Sequence, residues 1–147
     1  MDFNIEKLKE YIRLQRFKNG NTDRLYKLTT KIETFVSDEA MVEYYIKNLF
    51  SRDENSDVTI FCFTKNIICA GSISSDKMED IKVQKISSIK DVEYYNDEGS
   101  YAAKLIINMN DGQSITLDNN LDCNIDWEET YQELINRIFG FLTKVVK

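Results

Sequence analysis

The spacing of apolar residues changes twice along this chain. Ile5, Leu8 and Ile12 share one face of a helix predicted from about Phe3 to Phe17. Asn19 and Gly20, which tolerate a left-handed backbone, are expected to stop it. Leu25, Leu28, Ile32 and Phe35 or Val36 form the stripe of a second helix, capped by Asn21 or Thr22. A third helix is expected from Ser37 or Asp38, with Val42, Tyr45, Ile46 and Leu49 inward. The polar residues 51–57 then lead into a region of shorter period.

From Val58 to Leu117 short apolar runs alternate with turns and predict about six antiparallel strands. Val58–Thr64 is apolar on both faces, so cover on both sides is expected. Asn66–Ile73, Ile81–Ile86, Ile89–Tyr95, Ala102–Met109 and a return through Ile115 and Leu117 follow. Gly71 marks a bulge or bend, and Asp111-Gly112 is the strongest hairpin signal. A hairpin closed at Lys65-Asn66 places Cys62 opposite Cys69. Their expected role is as small apolar core residues in a reducing compartment, with a strained cross-strand disulfide as the alternative.

From Asp126 to Lys147 the period is helical again. Trp127, Tyr131, Leu134, Ile138, Phe141 and Val145 form one stripe; Ile135, Phe139, Leu142 and Val146 form its neighbour. Together they cover roughly 160° of the helix, more than one barrel mouth needs. The surplus predicts contact with the N-terminal helices or with a second copy of the chain. Asp126 and Glu129 have capping-box spacing.

The expectation is an α+β chain: N-terminal helices packed on an antiparallel β-barrel or sandwich closed by a C-terminal α-helix. A helical segment over 1–56 and a β domain over 57–147 would form one compact unit. Of the 147 residues, 42% are apolar and 12% aromatic, which is ample for a core. There is no proline and there are five glycines, so Asn, Asp and Ser must make most turns. No apolar run approaches the roughly 18 residues of a membrane span. Met1–Glu6 lacks the apolar core of a signal peptide, and three cysteines are an odd number, so a cytoplasmic location is expected. Net charge is −6; residues 1–56 carry ten basic and ten acidic side chains, residues 57–147 nine and fifteen. That excess argues against nucleic acid and anionic membranes as partners.

The absence of histidine excludes Ser-His-Asp and Cys-His catalysis and His-ligated zinc. The cysteines are scattered and the glycines isolated, so no catalytic residue, cofactor site or metal site is assigned. One run has the spacing of a calcium loop. Asp118, Asn120, Asp122, Asp126 and Glu129 fall at positions one, three, five, nine and twelve of an EF-hand-like loop. Cys123 stands where that loop needs glycine, and a strand precedes it. The expected reading is a polar loop feeding a helix capped by Asp126 and Glu129. Tyr45, of the Tyr44-Tyr45 pair, and one of Tyr94-Tyr95 are expected in the core or an interface, because the acidic balance disfavours base stacking.

Phe63-Thr64-Lys65-Asn66-Ile67-Ile68 resembles the threonine-basic turn between early strands of pleckstrin-homology-like domains. Ile86-Ser87-Ser88-Ile89-Lys90-Asp91-Val92 is similar to the strand that follows there, and Leu105–Leu117 with the last helix completes the order. The resemblance covers about ninety residues and implies that fold. Such domains have seven strands where six are counted here. Their phosphoinositide-binding members cluster Lys and Arg at the first hairpin, where this chain has only Lys65. The whole chain also resembles a small uncharacterised family of low-GC Gram-positive bacteria, which implies no activity. The expected function is therefore a non-enzymatic binding or protein-interaction module. Its partner would be an unidentified protein, including a second copy of itself. The alternative is a small-ligand or lipid binder using the barrel mouth.

Overall fold

The computed structural model describes residues 7, 10, 11, 13, 14, 20–36, 40–48, 57–74 and 78–146. Lys7, Glu10, Tyr11, Arg13 and Leu14 are helical; the expected stripe of Ile5, Leu8 and Ile12 lies outside the described residues, as do Leu49 and 51–56. Helix α1 spans Gly20–Phe35. Leu25, Leu28, Ile32 and Val36 are buried, while Phe35 is exposed. Gly20 opens this helix, so Asn21 and Thr22 lie in its first turn and not at its cap.

The expected third helix is a strand. β1 (Met41–Lys47) pairs antiparallel with β2 (Val58–Thr64), with Tyr44 opposite Cys62 and Ile46 opposite Ile60. The segment Val42-Glu43-Tyr44-Tyr45-Ile46 is rich in β-branched and aromatic residues, which fit a pleated surface better than a helix. Tyr44, Tyr45 and Ile46 are all buried although successive side chains point to opposite faces. That burial requires a sheet covered on both sides.

β3 (Ile67–Ile73) and β4 (Glu79–Lys85) complete a four-stranded antiparallel sheet in the order β1-β2-β3-β4. Cys62 lies opposite Cys69, as the hairpin arithmetic predicts, and both are fully buried thiols not joined as a disulfide. Helix α1 packs on β2 and β3 and covers the face that carries Ile60 and Gly71. Its Glu33 accepts a bond from the Tyr44 hydroxyl, and its Lys31 pairs with Glu79.

A 3-10 turn (Ile86–Ser88) carries the chain from β4 into a second sheet: β5 (Ile89–Asn96), β6 (Ala103–Met109) and β7 (Ser114–Asp118). Ile86 N donates to Asn66 O at 2.8 Å, and Asn110 N donates to Ser88 O at 2.8 Å, so the turn is tied to a hairpin of each sheet. Asp111-Gly112 makes the β6–β7 turn with Gly112 at φ 89°, the conformation glycine tolerates best. Ala103, Leu105, Ile107 and Met109 face inward, as do Ile115 and Leu117; Lys104, Ser114 and Asp91 are outward. The architecture is thus two antiparallel sheets of four and three strands, not a closed barrel; among the described residues the sheets share no strand pair.

A one-turn helix α2 (Asn119–Asp122), a 3-10 turn (Ile125–Trp127) and α3 (Glu128–Val145) finish the chain. Asp126 does not cap the long helix. Asn124 caps the 3-10 turn by accepting from Asp126 N, and α3 begins without a side-chain cap. Tyr131, Leu134, Ile135, Ile138 and Leu142 are buried. The surplus apolar face is also occupied: Phe139 stacks on Tyr94 with ring centroids 4.7 Å apart, and Trp127 meets Tyr11 edge-on at 6.4 Å. Arg137 reaches back to Glu43 of β1 at 2.7 Å, so α3 spans both sheets.

Gly71 is where α1 approaches the sheet most closely. A Cβ there would sit 2.9 Å from Ile32 Cδ1 and 3.1 Å from Leu28 Cδ2. Gly71→Val should destabilise the fold by about 1–3 kcal/mol through overpacking. Urea denaturation checks this; an unchanged midpoint would place α1 elsewhere.

Candidate functional site

The EF-hand-like run of residues 118–129 folds into a hydrogen-bonded joint. Asp118 accepts from Asn120 N at 2.9 Å and so caps α2. Asp122 turns inward: its Oδ2 accepts from the Tyr45 hydroxyl at 2.7 Å and from Asp118 N at 2.8 Å. Lys47 Nζ stands 3.6 Å from its other oxygen. Asp126 and Glu129 are exposed beyond the turn. Among the described residues no three His, Cys, Asp or Glu side chains are grouped to hold a metal ion. The carboxylates fail to converge because a strand and a single helical turn spread them, where an EF-hand loop would wrap them round one point.

The same joint links distant segments. Asn119 is fully buried and uses its whole amide: Oδ1 accepts from Ala103 N, and Nδ2 donates to Tyr101 O and Glu128 O. The Tyr131 hydroxyl donates to Ile46 O at 2.6 Å, and its ring meets Tyr45 edge-on at 5.2 Å. Asn48 N donates to Asp122 O at 2.8 Å. Burial raises the Asp122 pKa above 3.8, outweighing the Asp118 amide, the Tyr45 hydroxyl and Lys47, which lower it. Burial, with Glu128, Asp122 and Asp118 nearby, pushes the Cys123 thiol up to about 12. These groups tie β1, α2 and α3 together through hydrogen bonds.

A cavity of about 670 Å3 opens at the other end of the β2–β3 hairpin. Lys65, Asn66 and Ile67 line it from that hairpin, Lys85, Ile86, Ser87 and Ile89 from the passage between sheets, and Val145 and Val146 from the end of α3. Buried Thr64 shapes the hairpin, its hydroxyl accepting from Ile67 N at 3.0 Å and Asn66 N at 3.2 Å. Lys85 sits opposite Ile67 in the ladder, which puts both lysines on one rim. The two ammonium groups rim a floor of Ile67, Ile86, Ile89, Val145 and Val146. Among the described residues the lining holds no paired acid and base.

Sequence reasoning singled out Lys65 and the Ile86–Val92 run but assigned neither to a site. It missed Lys85 and the convergence with Val145 and Val146, because nothing local signals a meeting of β4 with a helix sixty residues on. Both Tyr44 and Tyr45 are core residues; Tyr94 packs on α3 and Tyr95 is exposed. No protein-family model matches this chain, and no curated protein matches it.

Two outcomes test the joint. An acid whose folded pKa is raised binds its proton more tightly in the folded state. Asp122 therefore makes the protein lose stability as pH rises through the ordinary value of 3.8 towards the raised one. The stability difference between wild type and Asp122→Asn, followed by urea denaturation against pH, should shift in that direction; a difference independent of pH would show that Asp122 is not buried as described. Cys62, Cys69 and Cys123 should alkylate far more slowly at neutral pH than in the unfolded chain, because burial withholds two and a raised pKa the third. Mass spectrometry of iodoacetamide-treated protein reads this directly.

Proposed function

We propose that this chain is a non-catalytic binding module of pleckstrin-homology-like fold that takes a small, partly apolar ligand in the cavity between the β2–β3 hairpin and the end of α3. The cavity carries the proposal. Its volume lies within the roughly 300–1,000 Å3 common for ligand sites, and its apolar floor with a few polar rim groups has the usual make-up of one. The fold assignment is supported by the seven strands among the described residues, in consecutive meanders of four and three followed by a helix. The strand at Met41–Lys47 supplies the seventh that the resemblance called for. Kinship with the low-GC Gram-positive family belongs to the same reading. The lack of histidine supports a non-catalytic role, and among the described residues the most deeply buried carboxylate, Asp122, is engaged in structure. No helix among the described residues is long and apolar enough to cross a membrane.

Titration with the uncharged fluorophore N-phenyl-1-naphthylamine should give a saturable rise in emission with one site per chain. Val145→Glu should abolish that rise while leaving the melting temperature nearly unchanged, since Val145 is only partly buried. A rise of equal size in the variant would remove the cavity as the site.

A protein partner is the second reading. The surplus face of α3 lends it less support, because Phe139 is stacked on Tyr94 and Trp127 meets Tyr11 within the chain. Its support is different: Tyr101, Leu121 and Ile125 are 49%, 74% and 69% exposed around the joint held by Asn119. Light scattering across a concentration series should show a second copy joining if this surface pairs with itself, and Leu121→Lys should lower the association.

A further inference from the structure

Resting on the cavity reading above, we infer that its ligand is a free single-chain amphiphile with one anionic head, a carboxylate or a phosphate. The charge around the cavity points there. The chain carries six net negative charges, yet among the described residues the charged groups lining this cavity are Lys65 and Lys85, with no carboxylate beside them. Both lysines are exposed, and among the described residues no ion pair neutralises either. Lysine is a compact charge on a flexible stem, suited to meeting an anion without demanding one geometry.

The floor selects the rest of the molecule. Ile86 and Ile89 are buried, and Ile67, Val145 and Val146 are partly so, all branched aliphatic side chains. A highly charged headgroup such as a polyphosphate would leave that surface wet and would want more than two cations. A short alkyl chain covers it while the head remains at the rim. The source is the free molecule, not a bilayer. The acidic excess of residues 57–147 repels an anionic membrane, and two rim lysines do not offset it.

Isothermal titration calorimetry with decanoate, decyl phosphate, decanol and decyltrimethylammonium separates these ideas. Both anions should occupy one site and bind roughly fivefold more tightly than decanol, the advantage shrinking as salt is raised. The cation should bind more weakly than decanol. The double variant Lys65→Gln/Lys85→Gln should bring decanoate down to the level of decanol without changing decanol, and Lys65→Arg/Lys85→Arg should keep the preference. If decanol and the cation bind as well as decanoate, the anion inference fails while the cavity reading stands. If no amphiphile binds, the cavity reading itself fails. Vesicles of phosphatidylcholine with phosphatidylglycerol should not retain the protein; retention would overturn the free-ligand assignment.

Discussion

The fold depends on one constraint: β2 and β3 are apolar on both faces and must be covered on both. Val58, Ile60 and Cys62 lie on one side of β2, and Phe61 and Phe63 on the other, all buried. Burying a side chain of this kind contributes about 1.5–3 kcal/mol, so neither face can be left to water in a domain of marginal stability. Helix α1 covers the first face. The other face carries Tyr45, whose ring meets Tyr131 of α3. The order of the chain follows, with a helix before the four-stranded sheet and a helix after the three-stranded one.

The two layers are joined by hydrogen bonds as well as by apolar contact. Tyr45 and Tyr131 each bring a large ring into the core and need a partner for the hydroxyl. Tyr45 finds Asp122 and Tyr131 finds the carbonyl of Ile46, so β1, α2 and α3 are fixed at one point. Asn119 does the same for the start of β6 and the start of α3 by acting as a buried substitute for a peptide group. Removing one partner from such a joint leaves a buried polar group unpaired, at about 1–3 kcal/mol. The polar run that looks like a metal loop in sequence is rich in Asp and Asn because it makes this joint.

Much of the architecture was legible from residue order. Strand positions from Val58 onward, the Cys62–Cys69 register, the Gly112 turn and the inward stripe of α3 all follow from local period and turn chemistry. The segment Met41–Lys47 was not legible, because Val42, Tyr45 and Ile46 fit helical spacing as well as a two-sided strand. Only the partner β2 decides between the two. Asp126 illustrates a second limit: its spacing to Glu129 suits a capping box, but a 3-10 turn capped by Asn124 takes up Asp126, and the long helix starts at Glu128 without a side-chain cap. The cavity was hidden for a third reason, since its residues come from three segments far apart in the chain: the β2–β3 hairpin, the passage through Ile86–Ser88 and the end of α3.

β4 ends the four-stranded sheet, and one of its edges has no neighbour among the described strands. Such an edge offers a row of unpaired backbone groups to any passing strand. Here it carries Glu79, Asp80, Lys82 and Lys85, with Val83 its one strongly exposed aliphatic residue. Two copies approaching edge to edge antiparallel would have to bring these charges into register while desolvating them. The same lysine that borders the cavity therefore also helps keep the sheet from extending into a second molecule.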